Sequence, residues 1–584
     1  MKQQIILFSA LSCISAQDIY QSANEVINGF NDRPIKNEHI TEHLLDIARN
    51  GHQLDSDHKS RLEELGFNFD QSLVTRGGAQ RAESIGLDKF FDIKYFRIHY
   101  TTSGRNAVRS IDLNSNNIPD YIDSLVEVFE NVSEALHEKL GFNKPPGDGF
   151  YTSNYDNGGS DKYDIYIRQL ASNFYGYVQF EQYAQGTGDN ENTLDLEEKN
   201  AITSYMAMRN SYQNFNQLSE IQNIQTTIAH EFFHAVQLGY DGWEKQWLLE
   251  ATAVWMEEEL FDEINDVYQY MPDWFRYPHR SLDEEGTHAY GSYIFFEYIE
   301  QNMGGNELLR KVFEYSAKSD SRKKDGSHLA IDQALKLNGY TFKQALNSMS
   351  IANKIMSSSS LAGIYRYEEA DKYPIKGPNI YKTLNFKSGT LDFIESTGLN
   401  RYGSQYISIT SRDPVLVEIT KINGSRSDLK LNAILEKRDN SYLVISNDKI
   451  NIDPINLKSI SLSVISEDTL DSDLSYRLTL KDGTRGTGAD LPLAFTISHP
   501  YPNQFKNEVT FSVTMLQEDY IRIDIFNLTG RKVKAIHHGQ FSIGKYDFKW
   551  DSKNKDGFKS SSGSYFIKVS NDLSQEWKMI SLIK

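Results

Sequence analysis

The chain has a single cysteine, Cys13, among 584 residues. That excludes a disulfide scaffold and a cysteine-ligated zinc site. It also excludes a catalytic thiol once the leader described below is removed. There is no basic excess either: 61 Lys and Arg stand against 80 Asp and Glu, a net charge of −19. A duplex-binding surface needs a positive footprint, so no nucleic-acid partner is expected. No run of 18 apolar residues follows the leader, so no transmembrane segment is expected in the mature chain. Hydrophobic residues make up 39% and aromatic residues 12%, which excludes a largely disordered polymer. At about 150 residues per domain, the length suggests three or four domains.

What is present begins with a leader. Met1-Lys2 is a short basic start, Ile5 to Ile14 is mostly apolar, and Ser15-Ala16 are small. This is the layout of a secretory signal peptide over 1–16, with cleavage after Ala16. A lipoprotein would use Cys13 instead, but Leu11 lies one place off the usual lipobox position. Residues 17–88 read as a charged helical region, with Leu44, Leu45, Ile47 and Ala48 at helical spacing. It is either a pro-segment or an N-terminal subdomain. Without a cysteine it cannot act through a cysteine switch.

Residues 89–365 mix short strands with long helices. Phe96–Tyr100, Tyr163–Ile167 and Ser204–Met208 alternate like strands, and helical patterns run over 121–140, 219–238, 247–261 and 289–302. From 378 to 484 the period changes to two, in segments such as Tyr406–Thr410, Val415–Ile419, Ile460–Val464 and Tyr476–Leu480. Short strands between polar turns predict a β-sandwich domain. Gly483 to Asp490 reads as a linker, and a last β-rich module occupies 493–584.

The chemistry concentrates in Thr227-Ile-Ala-His-Glu-Phe-Phe-His-Ala-Val-Gln237. On a helix, His230 and His234 lie one turn apart on one face and can bind one zinc ion, while Glu231 deprotonates water. By composition, such a motif arises by chance about 0.02 times in a chain like this. Ser219 and Gln222 have capping-box spacing, and Ile221, Ile224, Ile228, Phe232 and Ala235 form an apolar stripe. Gly239 is the expected stop.

A zinc hydrolase needs a third protein ligand. No third histidine follows at the metzincin offset. Glu250, in Trp247-Leu-Leu-Glu-Ala-Thr-Ala-Val-Trp255, lies 16 residues after His234 beside the small Ala251 and Ala253. It is the candidate. Glu257, Glu258 and Glu259 are rivals, although an unbroken acidic run suits a solvated face. Glu257, seven residues after Glu250, could instead orient a ligand histidine.

These two segments resemble a gluzincin metallopeptidase of the peptidase-MA-like group, in which W-x-x-E-x-x-A supplies the glutamate ligand. Phe96-Arg-Ile-His-Tyr-Thr-Thr-Ser-Gly104 and Asn117-Ile-Pro-Asp-Tyr121 are similar to a secreted bacterial set of predicted metallopeptidases. The similarity spans about 89–300. It implies an α+β zincin-like catalytic domain, zinc on His230, His234 and Glu250, Glu231 as general base, and a protein or peptide substrate. Thermolysin-like members carry Asp four residues after the glutamate ligand; here that residue is Val254, which leaves the support of the ligands open. An oxyanion donor is sought in Thr287-His-Ala-Tyr-Gly291, with Tyr290 preferred over His288; a core aromatic is the competing role for Tyr290.

A second cation site is expected upstream. Asp112, Asn114, Asn116, the Ile118 carbonyl, Asp120 and Asp123 fall at EF-hand-like places 1, 3, 5, 7, 9 and 12. Calcium there would be structural; an Asx-rich turn before a helix is the alternative. Finally, Pro500-Tyr-Pro-Asn503, the strand patterns to Ile567 and the tail Met579–Lys584 resemble the C-terminal sorting domain of type IX secretion. Gln504 departs from the pattern, where a second Pro is common. Residues 531–584 hold 11 Lys and Arg against 5 Asp and Glu, so this end is basic in an acidic chain. The expectation is a secreted or outer-surface zinc peptidase that meets the type IX machinery. The competing reading is a catalytically inactive adhesion or glycan-binding protein on the same scaffold.

Overall fold

The computed structural model describes residues 13–31, 40–70, 73–76, 85–149, 157–171, 174–213, 215, 218–359, 362–422, 429–467, 474–485, 495–498, 500–515, 519–542, 544–571 and 575–583. Most of the expected leader and residues 486–490 of the expected linker lie outside them. The chain divides into two compact units. The first comprises Met1–Val267, Glu285–Tyr293 and Leu309–Ile331; the second comprises Tyr268–Glu284, Ile294–Leu308 and Asp332–Lys584.

Unit 1 opens with helices α1 (Cys13–Phe30), α2 (Thr41–Asn50) and α3 (Ser56–Glu64), then the short pair β1 (Phe67–Asn68) and β2 (Thr75–Arg76). A five-stranded sheet follows, built from β3 (Lys89–Asp92), β4 (Phe96–Tyr100), β5 (Tyr163–Arg168), β6 (Gly176–Tyr183) and β7 (Ile202–Arg209). Its order is β3-β4-β5-β7-β6. The β4–β5 and β5–β7 pairs are parallel, whereas β6 is an edge strand antiparallel to β7. Helices α4 (Asp120–Glu134), α5 (Glu220–Asp241) and α6 (Gln246–Phe261) complete the part that holds the His230–His234 motif and Glu250. α5 packs on β7, β6, α4 and α6.

α5 starts where the capping box expects it. The Ser219 side chain accepts from Gln222 N–H, and the Gln222 side chain accepts from Ser219 N–H. Ile224, Ile228, Phe232 and Ala235 are buried, but Ile221, in the first turn, is 42% exposed and lies outside the stripe. Phe232 anchors the helix, edge-on to Phe96 (5.0 Å), Tyr163 (5.7 Å) and His137 (5.9 Å). The helix does not stop at Gly239. It continues to Asp241 and caps at Gly242, whose N–H bonds to Asn200 O at 2.9 Å. Gly239 serves packing: a Cβ there would meet Pro146 Cδ at 3.1 Å.

Unit 2 contains the period-two region. β8 (Ile380–Asn385), β10 (Ser404–Thr410), β12 (Leu429–Lys437), β13 (Tyr442–Ser446) and β15 (Leu457–Ser466) form one sheet. β9 (Thr390–Leu399), β11 (Val415–Lys421), β14 (Lys449–Ile452) and β16 (Leu474–Asp482) form the other. Alternate residues from both sheets, among them Ile407, Val417, Leu431, Leu462, Val464 and Leu478, share one core. The last module repeats the plan with two smaller sheets. One is β17 (Phe495–Ile497), β18 (Val509–Met515) and β21 (Gly544–Trp550); the other is β19 (Asp519–Asn527), β20 (Lys532–Phe541), β22 (Gly563–Ser570) and β23 (Gln575–Leu582). Trp550 is fully buried between Phe505 (5.6 Å) and Tyr565 (4.9 Å). The protein is therefore multidomain, with a helix-containing N-terminal region and β-sandwich-like sheets toward the C-terminus.

Truncating Phe232 to Ala leaves a cavity behind the metal-motif helix and is expected to cost about 3–5 kcal/mol. Urea unfolding followed by tryptophan fluorescence, with Trp550 and Trp577 of the last module replaced by Phe in both proteins, measures it; a loss below about 1 kcal/mol contradicts the anchoring role.

Candidate metal centre

Two helices bring three buried side chains to one point. α5 contributes His230 and His234 and α6 contributes Glu250. His230 Nε2 lies 3.1 Å from His234 Nε2. Glu250 Oε2 lies 3.3 Å from His230 Nε2 and 3.5 Å from His234 Nε2. All three residues are at most 3% exposed. Glu250 Oε2 accepts no hydrogen bond among the described residues; it faces the two imidazole nitrogens.

The far nitrogens explain why the near ones converge. His230 Nδ1 bonds to Glu257 Oε1 at 2.7 Å, and His234 Nδ1 bonds to Gln237 Oε1 at 2.8 Å. With Nδ1–H donating outward, each Nε2 lone pair is aimed inward. Gln237 is itself fixed, because its Nε2 donates to Leu249 O (2.9 Å) and Thr252 Oγ1 (2.8 Å). Two inward lone pairs at 3.1 Å repel each other unless a proton or a cation is shared between them. Burial opposes an imidazolium, yet the adjacent Glu250 and Glu257 carboxylates raise His230 well above its ordinary pKa. Burial likewise works against the Glu250 carboxylate, but His234 and His230 hold its pKa below the usual range.

Glu231 lies on the same stretch of α5 and is 2% exposed; burial raises its pKa, against the pull of His230 and His234. Its Oε2 accepts from Thr41 Oγ1 at 2.8 Å. Burial also raises Glu257, to about 7. No lysine or arginine is ion-paired to Glu231, Glu250 or Glu257 among the described residues. Three carboxylates buried with two imidazoles form a cluster that favours a cation.

The acidic run at 257–259 is not a solvated face: Glu257 and Glu258 are buried and Glu259 is half-buried. Tyr290, on the short helix Thr287–Gly291, is buried with its ring nearly parallel to that of His230 (6.4 Å between centroids, 20°). His288 is buried on the same helix. Sequence reading missed Gln237, Thr252 and Thr41. Gln237 was findable, three residues after His234 on the same helical face. Thr252 depends on how α6 meets α5, and Thr41 comes from 190 residues away.

The loop at 112–123 closes on itself. Asn116 N–H and Asn117 N–H donate to Asp112 at 3.1 and 2.9 Å. Asn114 Nδ2 and Asn116 Nδ2 donate to Asp123 Oδ2 at 2.9 and 3.0 Å. Leu113 N–H donates to Asp120 Oδ1 at 2.9 Å, and Ile118 N–H to Asn116 Oδ1 at 2.8 Å. Ser115 and Asn117 adopt φ of +59° and +67°, the left-handed conformation that asparagine tolerates better than most residues.

Comparisons with known proteins bear on parts of this chain. The comparison with curated proteins finds no match. Among solved structures, the similar ones include PorZ, described as an essential bacterial surface component of the type IX secretion system of Porphyromonas gingivalis. It is 20% identical over 18% of this chain and 14% of that one, with a TM-score of 0.12. A DUF4785 family protein of Legionella pneumophila is 8% identical over 33% of this chain and 63% of that one, with a TM-score of 0.14. A β-1,2-glucanase of Parabacteroides distasonis is 10% identical over 33% of this chain and 30% of that one, with a TM-score of 0.12. The chain thus spans less than two thirds of each of these, and at such scores none bears on its function. No helix among the described residues is long and apolar enough to cross a membrane. Residues 121–353 match a family of unknown function (DUF6055) and residues 503–575 match the FlgD Ig-like domain, so the chain joins a DUF6055 domain to a C-terminal FlgD Ig-like domain.

Proposed function

We propose that the protein is a zinc metallopeptidase with a zincin-type domain in unit 1. The observation that carries this reading is the triangle of His230 Nε2, His234 Nε2 and Glu250 Oε2, with sides of 3.1, 3.3 and 3.5 Å. Bonds of about 2.0–2.1 Å in tetrahedral geometry put ligand atoms about 3.3 Å apart, so these three atoms fit one face of a zinc coordination tetrahedron. The donor set, two imidazoles and a carboxylate with a fourth position left over, is that of a catalytic site. When bound, zinc supplies Lewis-acid polarisation of a carbonyl and acidifies water. Glu231, held beside the ligands by α5, would act as the general base, taking a proton from the attacking water and returning it to the leaving amine. Its burial raises its pKa, which favours taking up a proton. Glu257 and Gln237 hold the imidazoles in the metal-binding tautomer. Tyr290, against His230, is the candidate donor to the developing oxyanion.

The rest of the chain serves delivery in this proposal. The leader directs export, and the basic C-terminal module acts as a sorting domain read by the type IX machinery, which leaves the enzyme secreted or on the outer surface. The loop at 112–123 holds calcium: turning the Asn114 and Asn116 carboxamides replaces their N–H groups with oxygens, beside Asp112, Asp120 and Asp123.

Purified protein is expected to carry one zinc per chain by elemental analysis. Glu231→Gln is expected to keep the metal and lower casein cleavage by about 10²–10⁴-fold. Metal-free protein, or cleavage indifferent to the substitution, sinks the reading in favour of an inactive adhesion scaffold. Glu257→Ala and Gln237→Leu are each expected to weaken zinc binding by about 10–100-fold in chelator competition, by freeing a ring to rotate. Calcium at about 100 times its Kd is expected to stabilise the zinc-loaded chain by about 2.7 kcal/mol. The gain should appear as a rise in Tm that a calcium-selective chelator reverses and Asp112→Ala abolishes; an unchanged Tm argues for a plain Asx-rich turn.

A further inference from the structure

The residues that would do the chemistry are covered from the N-terminal side. α2 begins with Thr41, and its hydroxyl makes two bonds at once. It donates to Glu231 Oε2 at 2.8 Å and accepts the Val178 N–H of edge strand β6 at 3.1 Å. β2 also packs on β6. A general base must reach a proton of the water it activates. Here the Oε2 position is filled by a side-chain hydroxyl.

The bonds that hold the segment there are polar. The Arg49 guanidinium donates to Gly242 O (3.0 and 2.8 Å) and to Glu244 O (2.8 Å) at the end of α5, and Gln246 Nε2 of α6 donates to Glu42 O at 2.9 Å. Glu42 and His43 are buried beside Thr41. The segment has apolar packing of its own, since α1 packs on both α2 and α3, and it buries Ala23, Val26, Ile27, Leu44 and Ile47. The contact with the body also has an apolar part, Phe30 edge-on to Tyr177 at 5.6 Å and Gly29 close against Phe174, so a chain cut and mild denaturant are needed to release the segment.

We propose that residues 17–76 are an autoinhibitory segment in which the Thr41 hydroxyl occupies the water position at Glu231, so that the chain is made latent and becomes active when the segment leaves. This rests on the peptidase reading. It differs from latency through a thiolate on the metal, since the hydroxyl engages the base and not the ligand triangle.

The test uses the full, zinc-loaded chain with a site-specific protease sequence inserted after Gly86. That residue lies in an exposed turn at φ +73°, with open space around it. Casein cleavage is measured before the cut, after the cut and removal of the segment in mild urea, and after adding the segment back. The expected result is a rise of at least tenfold on removal with one zinc retained, and inhibition on return. In the uncut chain, Thr41→Val is expected to raise activity at least fivefold. Equal activity before and after removal, equal activity of Thr41→Val and parent, or loss of the body's cooperative melting transition on removal overturns the inhibition. Zinc-loaded protein that cleaves nothing in any form rejects the peptidase reading itself, so the two failures are distinguishable.

Discussion

The structure of unit 1 depends on the approach of Glu250 Oε2 to within 3.5 Å of two imidazole nitrogens inside a closed core. Taking one carboxylate out of water costs several kcal/mol unless a charge or several hydrogen bonds replace the lost solvation. Here three carboxylates, Glu231, Glu250 and Glu257, share a small volume. Local polar groups supply only part of the compensation. Each histidine spends Nδ1 on an outward partner and keeps Nε2 for the centre, so the inward-facing atoms are all acceptors. That is an arrangement a dication resolves and a close-packed apolar core does not.

The surrounding elements can be understood as what it takes to hold that approach. α6 must come close to α5, and the line of approach is kept narrow by Ala251 and Ala253, both fully buried. At the end of α5, a Cβ on Gly242 would lie 2.2 Å from Ile202 Cδ1. A side chain there would move the turn that starts α6 and, with it, Glu250. Gln237 then ties the two helices together, since one carboxamide bonds a ligand histidine on α5 and the Leu249 carbonyl on α6. Position 254 holds Val, and it is Glu257, one turn further on, that reaches His230.

This geometry was unevenly legible in the sequence. The pair His230 and His234 could be read from helical periodicity alone, and Ser219 with Gln222 marked the start of the helix because both interactions are local. Glu250 was legible as a buried carboxylate among small residues. The strands of the C-terminal half were legible because a sheet with one buried face imposes a period of two, as in Tyr406–Thr410 and Tyr476–Leu480. The end of α5 was misread because Gly239 and Gly242 answer to packing against Pro146 and Ile202, contacts made with other elements. Glu257 was legible as a partner for a histidine from its place seven residues after Glu250, and it does meet His230; the burial of Glu258 was not, because an unbroken acidic run reads as a solvated face. Thr41 carried no signal, since a lone threonine at a helix start is an ordinary capping residue.

That threonine also sets the character of the cover over the site. A hydroxyl is neutral, so it neutralises nothing at Glu231 and leaves the inward-facing acceptors at His230, His234 and Glu250 as they are. In the proposed mechanism the ligand triangle and the base would therefore be under separate control: the triangle could be filled while Glu231 stays engaged by Thr41. A neutral hydroxyl also holds weakly, at about 0.5–1.5 kcal/mol net for a typical hydrogen bond and more to a charged acceptor. The position of α2 comes instead from its packing on β6 and from Arg49 on the carbonyls of Gly242 and Glu244 and the Gln246–Glu42 bond. These polar contacts engage the turn between α5 and α6, the turn that also places Glu250. The segment that covers the base thus grips the joint on which the ligand set depends.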